Sequence, residues 1–179
     1  MKVQYLIPFV EAAYEVLKAE VNIPMQRGDL SLDKGAYITD DVTVIISLVG
    51  DIEGIVFYGF SNEAALGIAS SMLGENLSEM NGLAQSGIAE LGNVITGRAS
   101  VKLSKSGFQS TISPPTMLLG KGATISTLDF PRVVVPLTSN MGRITIHLAL
   151  REALRQGANA ALLKVPEAPG LKDTPGKDS

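Results

Sequence analysis

The sequence predicts an α+β domain, a two-layer fold in which long helices pack on one face of a mostly antiparallel sheet. Its segments follow the order helix, strands, helices, strands, and the strand-like segments outnumber the helical ones. The chain has 179 residues, of which 45% are hydrophobic, and this suits one domain with its own core. We predict that this domain occupies residues 1–150.

Three helices are predicted from spacing and capping signals. Apolar side chains recur at helical intervals over about Tyr5–Glu20 and form one amphipathic stripe. Ser61 is a suitable N-cap and Gly74 a suitable C′ residue for a second helix. The third helix covers Leu83–Ser104, or begins a few residues earlier at Ser78.

Strand signals fill two other regions of the chain. The β-branched and aromatic segments Val42–Val49 and Ile55–Phe60 predict a hairpin, with its turn marked by Gly50, Asp51 and Gly54. After Ser106, short segments alternate with Pro or Gly, which predicts an antiparallel meander ending in a hairpin turn over Ser139–Gly142. The meander segments are Phe108–Ile112, Met117–Leu119, Thr124–Asp129, Arg132–Thr138 and Arg143–Leu148.

The C-terminal segment is predicted to lie outside this domain. A short helix is expected over Arg151–Leu163, within a helical extension that covers residues 151–165. The last part, residues 166–179, holds three prolines and few apolar side chains, so we predict a disordered tail.

The apolar runs are too short for a membrane span, which needs about 18 residues. Glu11 and Glu15 interrupt the N-terminal apolar stretch, which argues against a signal peptide. We therefore expect a soluble cytoplasmic domain with no membrane partner.

Charge is unevenly distributed along the chain. Residues 35–97 contain eight Asp or Glu and no Lys or Arg, whereas residues 98–179 contain eleven Lys or Arg against five Asp or Glu. Neither segment is a dense block of like charge, so binding to nucleic acid is not expected. Two solvated faces of opposite charge account for this pattern, and a patch that steers a partner protein is the alternative.

Composition excludes several kinds of site. The chain has no Cys and one His, so disulfides, thiolate metal sites, cysteine nucleophiles and clusters of several histidines are absent. His147 alternates with Thr145 and Arg143 on one face of a predicted strand. A solvated or interface position is favoured there over a catalytic base, which would need a nucleophile beside it.

The third predicted helix has two opposed faces. At 100° per residue, Glu90, Asn93 and Gly97 fall within about 40° of Ser86. The aliphatic side chains fall on the opposite side, at about 140° to 200°. They are Ala84, Ile88, Leu91 and Ile95. This predicts that the aliphatic face packs on the sheet while a carboxylate and an amide face outward.

Three glycines, at positions 87, 92 and 97, lower the helix propensity of this segment, and the cost suggests a packing reason. Gly97 lies one turn after Asn93 and would let another surface approach the polar pair closely. Asn can donate and accept, so it can orient a water molecule, and Glu can pair with a cation. Such a pair suits phosphoryl hydrolysis, in which the protein mainly positions water. An ordinary solvated helix face is the alternative for this pair taken alone.

The spacing of these residues resembles the CheC, CheX and FliY phosphatases of bacterial chemotaxis. Their pattern is Asp or Ser, three residues, Glu, two residues, Asn, twenty-one residues and Pro, and Ser86, Glu90, Asn93 and Pro115 have these spacings. Tyr5–Lys18 also resembles the first helix of CheX. A single Glu-x-x-Asn pair in a chain without a repeated half brings it closer to CheX than to CheC and most FliY proteins, which carry two copies.

The resemblance implies a phosphatase that acts on the aspartyl phosphate of a CheY-like response regulator. By similarity, Glu90 pairs with the active-site Lys of the regulator and Asn93 orients the attacking water. Ser86, Gly97 and Pro115 support the motif, and Gly92 stands where a small residue is acceptable. The Mg²⁺ and the phosphorylated Asp would belong to the regulator, so no cofactor of the chain's own is expected.

The resemblance also implies a homodimer formed through joined sheets, and the apolar strands after Ser106 suit such an edge. Pro114 and Pro115 either fix a turn near the third helix or mark the start of a strand. The alternative function is a non-catalytic CheX-like adaptor that binds a response regulator or a motility component.

Overall fold

Residues 3–22, 24–127 and 130–153 are described by a computed structural model of the protein. Within these ranges the chain forms three helices and ten strands. The helices are α1 (Val3–Val21), α2 (Asn62–Leu73) and α3 (Gly82–Lys105). The strands are β1 (Gln26–Arg27), β2 (Ser31–Asp33), β3 (Tyr37–Ile38), β4 (Val42–Gly50), β5 (Ile52–Phe60), β6 (Ser110–Ile112), β7 (Thr116–Leu119), β8 (Thr124–Ile125), β9 (Arg132–Ser139) and β10 (Gly142–Glu152).

Eight of these strands form one antiparallel sheet in the order β1, β9, β10, β5, β4, β6. β2 also pairs with β9, and β7 also pairs with β4, so short strands form both edges of the sheet. The long strands β9, β10, β5 and β4 form its centre. The predicted hairpin is the β4–β5 pair, in which Val42 lies opposite Phe60 and Leu48 opposite Gly54.

The predicted meander after Ser106 is wrong except for its last hairpin. β6 and β7 both pair with β4, whereas β8 pairs with β3 in a separate two-stranded sheet. The segment 113–115, which contains two prolines, interrupts the edge strand without reversing it, so β7 continues along β4. Ser139 pairs with Gly142, which confirms the predicted turn between β9 and β10.

The three helices pack on one face of the sheet, which confirms the predicted two-layer α+β fold. In the α1 stripe Leu6, Phe9, Ala13 and Leu17 are buried, and Val10 is half-buried. Ser61 caps α2 by accepting a hydrogen bond from the Ala64 N–H at 3.3 Å, and Gly74 ends the helix with φ +68°. The core between the layers includes Phe9, Leu17, Val44, Ile46, Val56, Tyr58, Ile88 and Ile95.

The second face of the sheet is partly covered by the β3–β8 pair and its neighbouring loops. Tyr37 from β3 stacks on Phe57 with ring centroids 4.4 Å apart and meets the His147 ring edge-on at 4.7 Å. His147 is half-buried beneath this small sheet, so the solvated alternative of its predicted solvated or interface position is wrong. Burial, with the nearby Arg132 guanidinium, lowers the pKa of His147 to about 4.

Two predicted boundaries also change. β5 begins at Ile52 rather than Ile55, so Gly54 lies within the strand, with φ +139°. A Cβ there would lie 2.0 Å from the Ala149 carbonyl oxygen, so only glycine fits beside β10. β10 continues through Glu152, so the predicted helix does not begin at Arg151.

Residues 154–179 lie outside the described residues, and the predicted domain boundaries stay predictions. No helix in the described part combines the length and hydrophobicity that a membrane span needs.

Candidate functional site

The candidate site lies on α3, the longest helix of the described part. Its first residue is Gly82, and Asn81 is its N-cap, with Oδ1 accepting a hydrogen bond from the Ala84 N–H at 2.9 Å. Asn81 was not among the predicted caps. Lys102 and Lys105 stand in the last turn, where positive charge is favourable.

The two faces of α3 are arranged as their periodicity predicts. The four aliphatic side chains assigned to the sheet face are all buried: Ala84, Ile88, Leu91 and Ile95. On the opposite side Glu90 is exposed and Asn93 is half-buried. The polar pair therefore lies at the surface, on a helix that is fixed from beneath by its aliphatic face.

Glu90 and Asn93 contact one another. The Asn93 amide Nδ2 donates a hydrogen bond to Glu90 Oε2 at 3.4 Å, which is a long contact at the exposed surface. Among the described residues, Asn93 Oδ1 has no hydrogen-bond partner, and neither does the other carboxylate oxygen of Glu90. The pair thus presents two hydrogen-bond acceptors at the exposed side of α3, one on the amide and one on the carboxylate.

The supporting residues Ser86 and Gly97 lie on the same side of α3. The Ser86 hydroxyl donates to the Gly82 carbonyl at 2.9 Å, so it is engaged within the helix. A Cβ at Gly97 would meet only Ile112 Cδ1 of β6, at 3.8 Å. The space above Gly97 is therefore open apart from this one side chain.

Pro115 lies in the interruption between β6 and β7. Ile112 pairs with Leu48 and Thr116 pairs with Ile45, so three residues on this edge face two residues of β4. This is the geometry of a bulge, in which an extra residue bends an edge strand. Pro115 directly precedes Thr116, the first residue of β7, in this bulged edge strand, which fits the strand-start alternative.

Two contacts bring this bulged edge to the polar side of α3. Ser100, about two turns after Asn93, donates through its hydroxyl to the Ser110 carbonyl at 2.9 Å. Gly97 faces Ile112, as described above. Because Asn93, Gly97 and Ser100 lie on one side of the helix, that side borders β6.

The glycines of α3 differ in their surroundings. A Cβ at Gly92 would lie 3.0 Å from Val44 Cγ1 and 3.3 Å from Tyr58 Cδ2, so the helix packs closely on the sheet here. A Cβ at Gly87 would meet nothing within 4 Å. The expected packing reason therefore holds at Gly92 and not at Gly87. A side chain at position 92 would therefore need Val44 or Tyr58 to shift, which favours a small residue there.

Two residues that support the site from beneath were not predicted from the sequence. The Tyr58 and Thr96 hydroxyls lie 2.8 Å apart, and the Thr96 hydroxyl donates to the Gly92 carbonyl at 2.8 Å. Both side chains are fully buried. No local sequence signal could have found this contact, because Tyr58 and Thr96 are 38 residues apart.

A profile of the family described as chemotaxis phosphatase CheX matches residues 42–138, more than half of the chain. The chain belongs to the chemotaxis phosphatase CheX family. In this CheX family member the matched range contains α3 and the bulged edge strand. All the predicted site residues lie within that range. The resemblance stated from the motif spacing is therefore confirmed.

Individual relatives agree with this assignment. The CheY-P phosphatase CheX of Thermotoga maritima is 32% identical over 119 residues, which are 66% of this chain and 77% of that protein. A CheC-like superfamily protein from Shewanella sp. PV-4 has the same fold, with a TM-score of 0.78 and 28% identity over 84% of this chain and 99% of its own. A chain of the CheX–CheY–BeF3–Mg²⁺ complex from Borrelia burgdorferi matches with a TM-score of 0.72 and 28% identity, over 83% of this chain and 98% of its own.

Proposed function

We propose that this protein hydrolyses the aspartyl phosphate of a CheY-like response regulator. The observation that carries the proposal is the contact between Asn93 and Glu90 at the exposed side of a helix whose opposite face is buried. The Thermotoga maritima relative is a CheY-P phosphatase, and the Borrelia burgdorferi structure is a complex of CheX with CheY. Both support a CheY-like partner for this protein.

Asn93 is assigned the water-orienting role. Its Oδ1 can accept a hydrogen bond from a water molecule, which leaves a lone pair of the water directed away from the helix. In the hydrolysis the water oxygen forms a bond to phosphorus, and the bond from phosphorus to the regulator's Asp carboxylate breaks. The products are inorganic phosphate and the free carboxylate. Positioning of this kind supplies much of the catalysis in phosphoryl transfer.

Glu90 is assigned a docking role. Its exposed carboxylate can pair with a cation on the regulator, and we expect that cation to be the active-site Lys. The hydrogen bond from Asn93 to Glu90 Oε2 would then couple docking to the orientation of the amide.

Mg²⁺ is assigned to the regulator. Glu90 and Asn93 offer few oxygen donors, and one of them already accepts the hydrogen bond from Asn93, whereas Mg²⁺ favours six ligands in octahedral geometry. The pair alone does not fit such a site. The Borrelia burgdorferi complex contains Mg²⁺ together with CheY, which is consistent with an ion that arrives with the partner. When bound there, the ion neutralises charge on the phosphoryl oxygens.

Asn93→Ala tests the proposal. We expect phosphate release from a phosphorylated CheY-like regulator to fall roughly 100-fold, since the water loses its acceptor. Asn76→Ala is the matched control, because it removes an exposed amide from the loop between α2 and α3. Equal rates in the two variants would contradict the role of Asn93. Capture of the phosphorylated regulator without phosphate release would instead favour the non-catalytic adaptor.

A homodimer is also proposed. Both edges of the sheet carry exposed leucines, Leu32 on β2 and Leu119 on β7, with exposed fractions of 57% and 51%. An edge strand with apolar side chains can pair with a second copy of the same edge. Sedimentation equilibrium of the full chain tests this, and a monomer at all concentrations would contradict it.

A further inference from the structure

Two buried hydroxyls form a hydrogen-bonded path from the sheet to the turn of α3 that carries Asn93. The Thr96 hydroxyl has one hydrogen, and it is donated to the Gly92 carbonyl. In the 2.8 Å contact between the two hydroxyls, Tyr58 must therefore be the donor. Burial raises the pKa of Tyr58, so its phenol keeps the proton that it donates.

This hydrogen-bonded path ends at the Gly92 carbonyl, which is joined directly to Asn93. The Gly92 carbonyl and the Asn93 N–H belong to one peptide unit, which is planar and rigid. A hydrogen bond that fixes the direction of this carbonyl therefore fixes the plane from which Asn93 leaves the backbone. A threonine hydroxyl that bonds the carbonyl four residues earlier also tends to bend a helix, so it adjusts the local turn.

This hydrogen-bonded path is possible because α3 approaches the sheet closely at Gly92. Gly92 has no Cβ, and the Tyr58 ring passes beside it, with Tyr58 Cδ2 3.3 Å from the place where a Cβ would stand. The hydroxyl of Tyr58 thereby reaches Thr96, one turn further along α3. Strand β5 is thus connected through two hydrogen bonds to the peptide unit preceding Asn93.

We propose that Tyr58 and Thr96 are positioning residues that set the orientation of the Asn93 side chain relative to the sheet. The catalytic part of this inference rests on the proposed function, whereas the orientation of Asn93 can be measured without it. A role confined to stability makes a different prediction, in which loss of either hydroxyl lowers the free energy of unfolding and leaves Asn93 where it is.

The kinetic test uses Thr96→Val, Thr96→Ser and Tyr58→Phe. We expect Thr96→Val to lower kcat on the order of 10-fold while KM for the phosphorylated regulator stays within about twofold, because orientation rather than docking is lost. Thr96→Ser keeps the hydroxyl and restores kcat to within about twofold. Tyr58→Phe should have an intermediate effect, since Thr96 keeps its bond to the Gly92 carbonyl.

Tyr37→Phe is the matched control for these variants. The Tyr37 hydroxyl also lies in a buried contact with a threonine, at 3.2 Å from Thr43 Oγ1, but on the second face of the sheet. We expect its kcat to equal that of the parent chain. A loss of kcat in Tyr37→Phe as large as that in Thr96→Val would overturn the proposal, because it would show a general effect of instability.

A spectroscopic measurement separates this proposal from the proposed function. The two protons of the Asn93 side-chain amide give a pair of proton–nitrogen cross-peaks, assigned by their absence in Asn93→Ala. We expect this pair to shift in Thr96→Val and Tyr58→Phe and to stay in place in Tyr37→Phe. A parent chain with no phosphatase activity but with this pattern of shifts would overturn the proposed function alone. An unchanged pair in both site variants would overturn the positioning role.

Discussion

The two faces of the sheet bury similar hydroxyl pairs and use them differently. On the helix-covered face, Tyr58 and Thr96 connect a strand to the helix that carries the exposed polar pair. On the second face, Tyr37 of β3 and Thr43 of β4 lie six residues apart in the chain. Their contact joins the small two-stranded sheet to the main sheet and does not reach α3. The comparison indicates that the first face transmits the position of the sheet to the site, while the second face serves stability.

The second face of the sheet also contains a buried charge. The Arg132 side chain is 1% exposed, and its guanidinium lies 2.6 Å from an Asp33 carboxylate oxygen. The guanidinium also donates a hydrogen bond to the Gly35 carbonyl. Among the described residues, Arg132 Nε has no hydrogen-bond partner. The Gly35 N–H and then Arg132 lower the pKa of Asp33. Variants on this face should therefore alter stability and its pH dependence rather than turnover.

The largest effect is expected from Asp33→Ala. Removal of this carboxylate leaves the buried Arg132 guanidinium without its counter-charge, which costs about 3 kcal/mol. We take the low end of the range for buried pairs because the Asp33 side chain is itself 46% exposed. Urea unfolding measures the change, and the phosphatase rate of the folded fraction should be unaltered.

Asp29→Ala is the matched control for this variant. Asp29 is an exposed carboxylate four residues earlier in the same connecting region, and no ion pair of the described residues includes it. We expect a change in the free energy of unfolding within about 0.5 kcal/mol. Similar losses in the two variants would mean that the Arg132 contact contributes nothing specific.

A smaller effect is expected from the titration of His147. Its pKa in the folded protein is about 4, below the ordinary value of 6.5. As pH falls below 6.5, the unfolded chain binds the proton first, so the contribution of this residue to stability is complete above that pH and is lost progressively toward pH 4. We expect a loss of up to about 2 kcal/mol between pH 6.5 and 5.

His147→Gln separates this effect from the carboxylates that titrate at the lower end of the same range. Glutamine stays neutral, so the free energy of unfolding of the variant should depend less steeply on pH from 6.5 to 5. Parallel pH profiles for the two proteins would show that His147 has the same pKa in the folded and unfolded states, contrary to its burial under Tyr37.

Local signals predicted much of the fold from the sequence. The stripe of α1, the Ser61 cap with Gly74, and the β4–β5 hairpin each depend on residues close together in the chain, and each is present in the structure. The meander failed because strand pairing joins distant segments. β8 pairs with β3, from Thr124 to Ile38, and nothing in either short strand specifies that partner.

The site follows the same division between local and distant contacts. Helical periodicity was enough to place Glu90 and Asn93 on the exposed side of α3, because that pattern is local. The support beneath them was not predictable, because Tyr58 reaches Thr96 only after β5 and α3 have packed. Its one trace in the sequence was the glycine at position 92, whose propensity cost indicated packing without naming the partner.

The smallest change in stability, and the one that most directly probes the first face, is expected from Gly92→Ala. The new methyl group would lie 3.0 Å from Val44 Cγ1, a contact that the helix must relieve by moving outward. We expect a loss of about 1 to 2 kcal/mol. The shift should also lower phosphatase turnover, because Asn93 follows Gly92 in the same rigid peptide unit.

Gly87→Ala provides the matched comparison on the same helix. A Cβ there meets nothing within 4 Å, so the substitution should stabilise the protein by up to about 1 kcal/mol through helix propensity alone. Turnover should stay unchanged. If Gly92 is in close contact with the sheet, urea unfolding should give stability changes of opposite sign in the two variants, and phosphate release should fall only in Gly92→Ala. Equal gains in stability would mean that α3 has room to accept the methyl group, and the sheet would then not hold Asn93 in place.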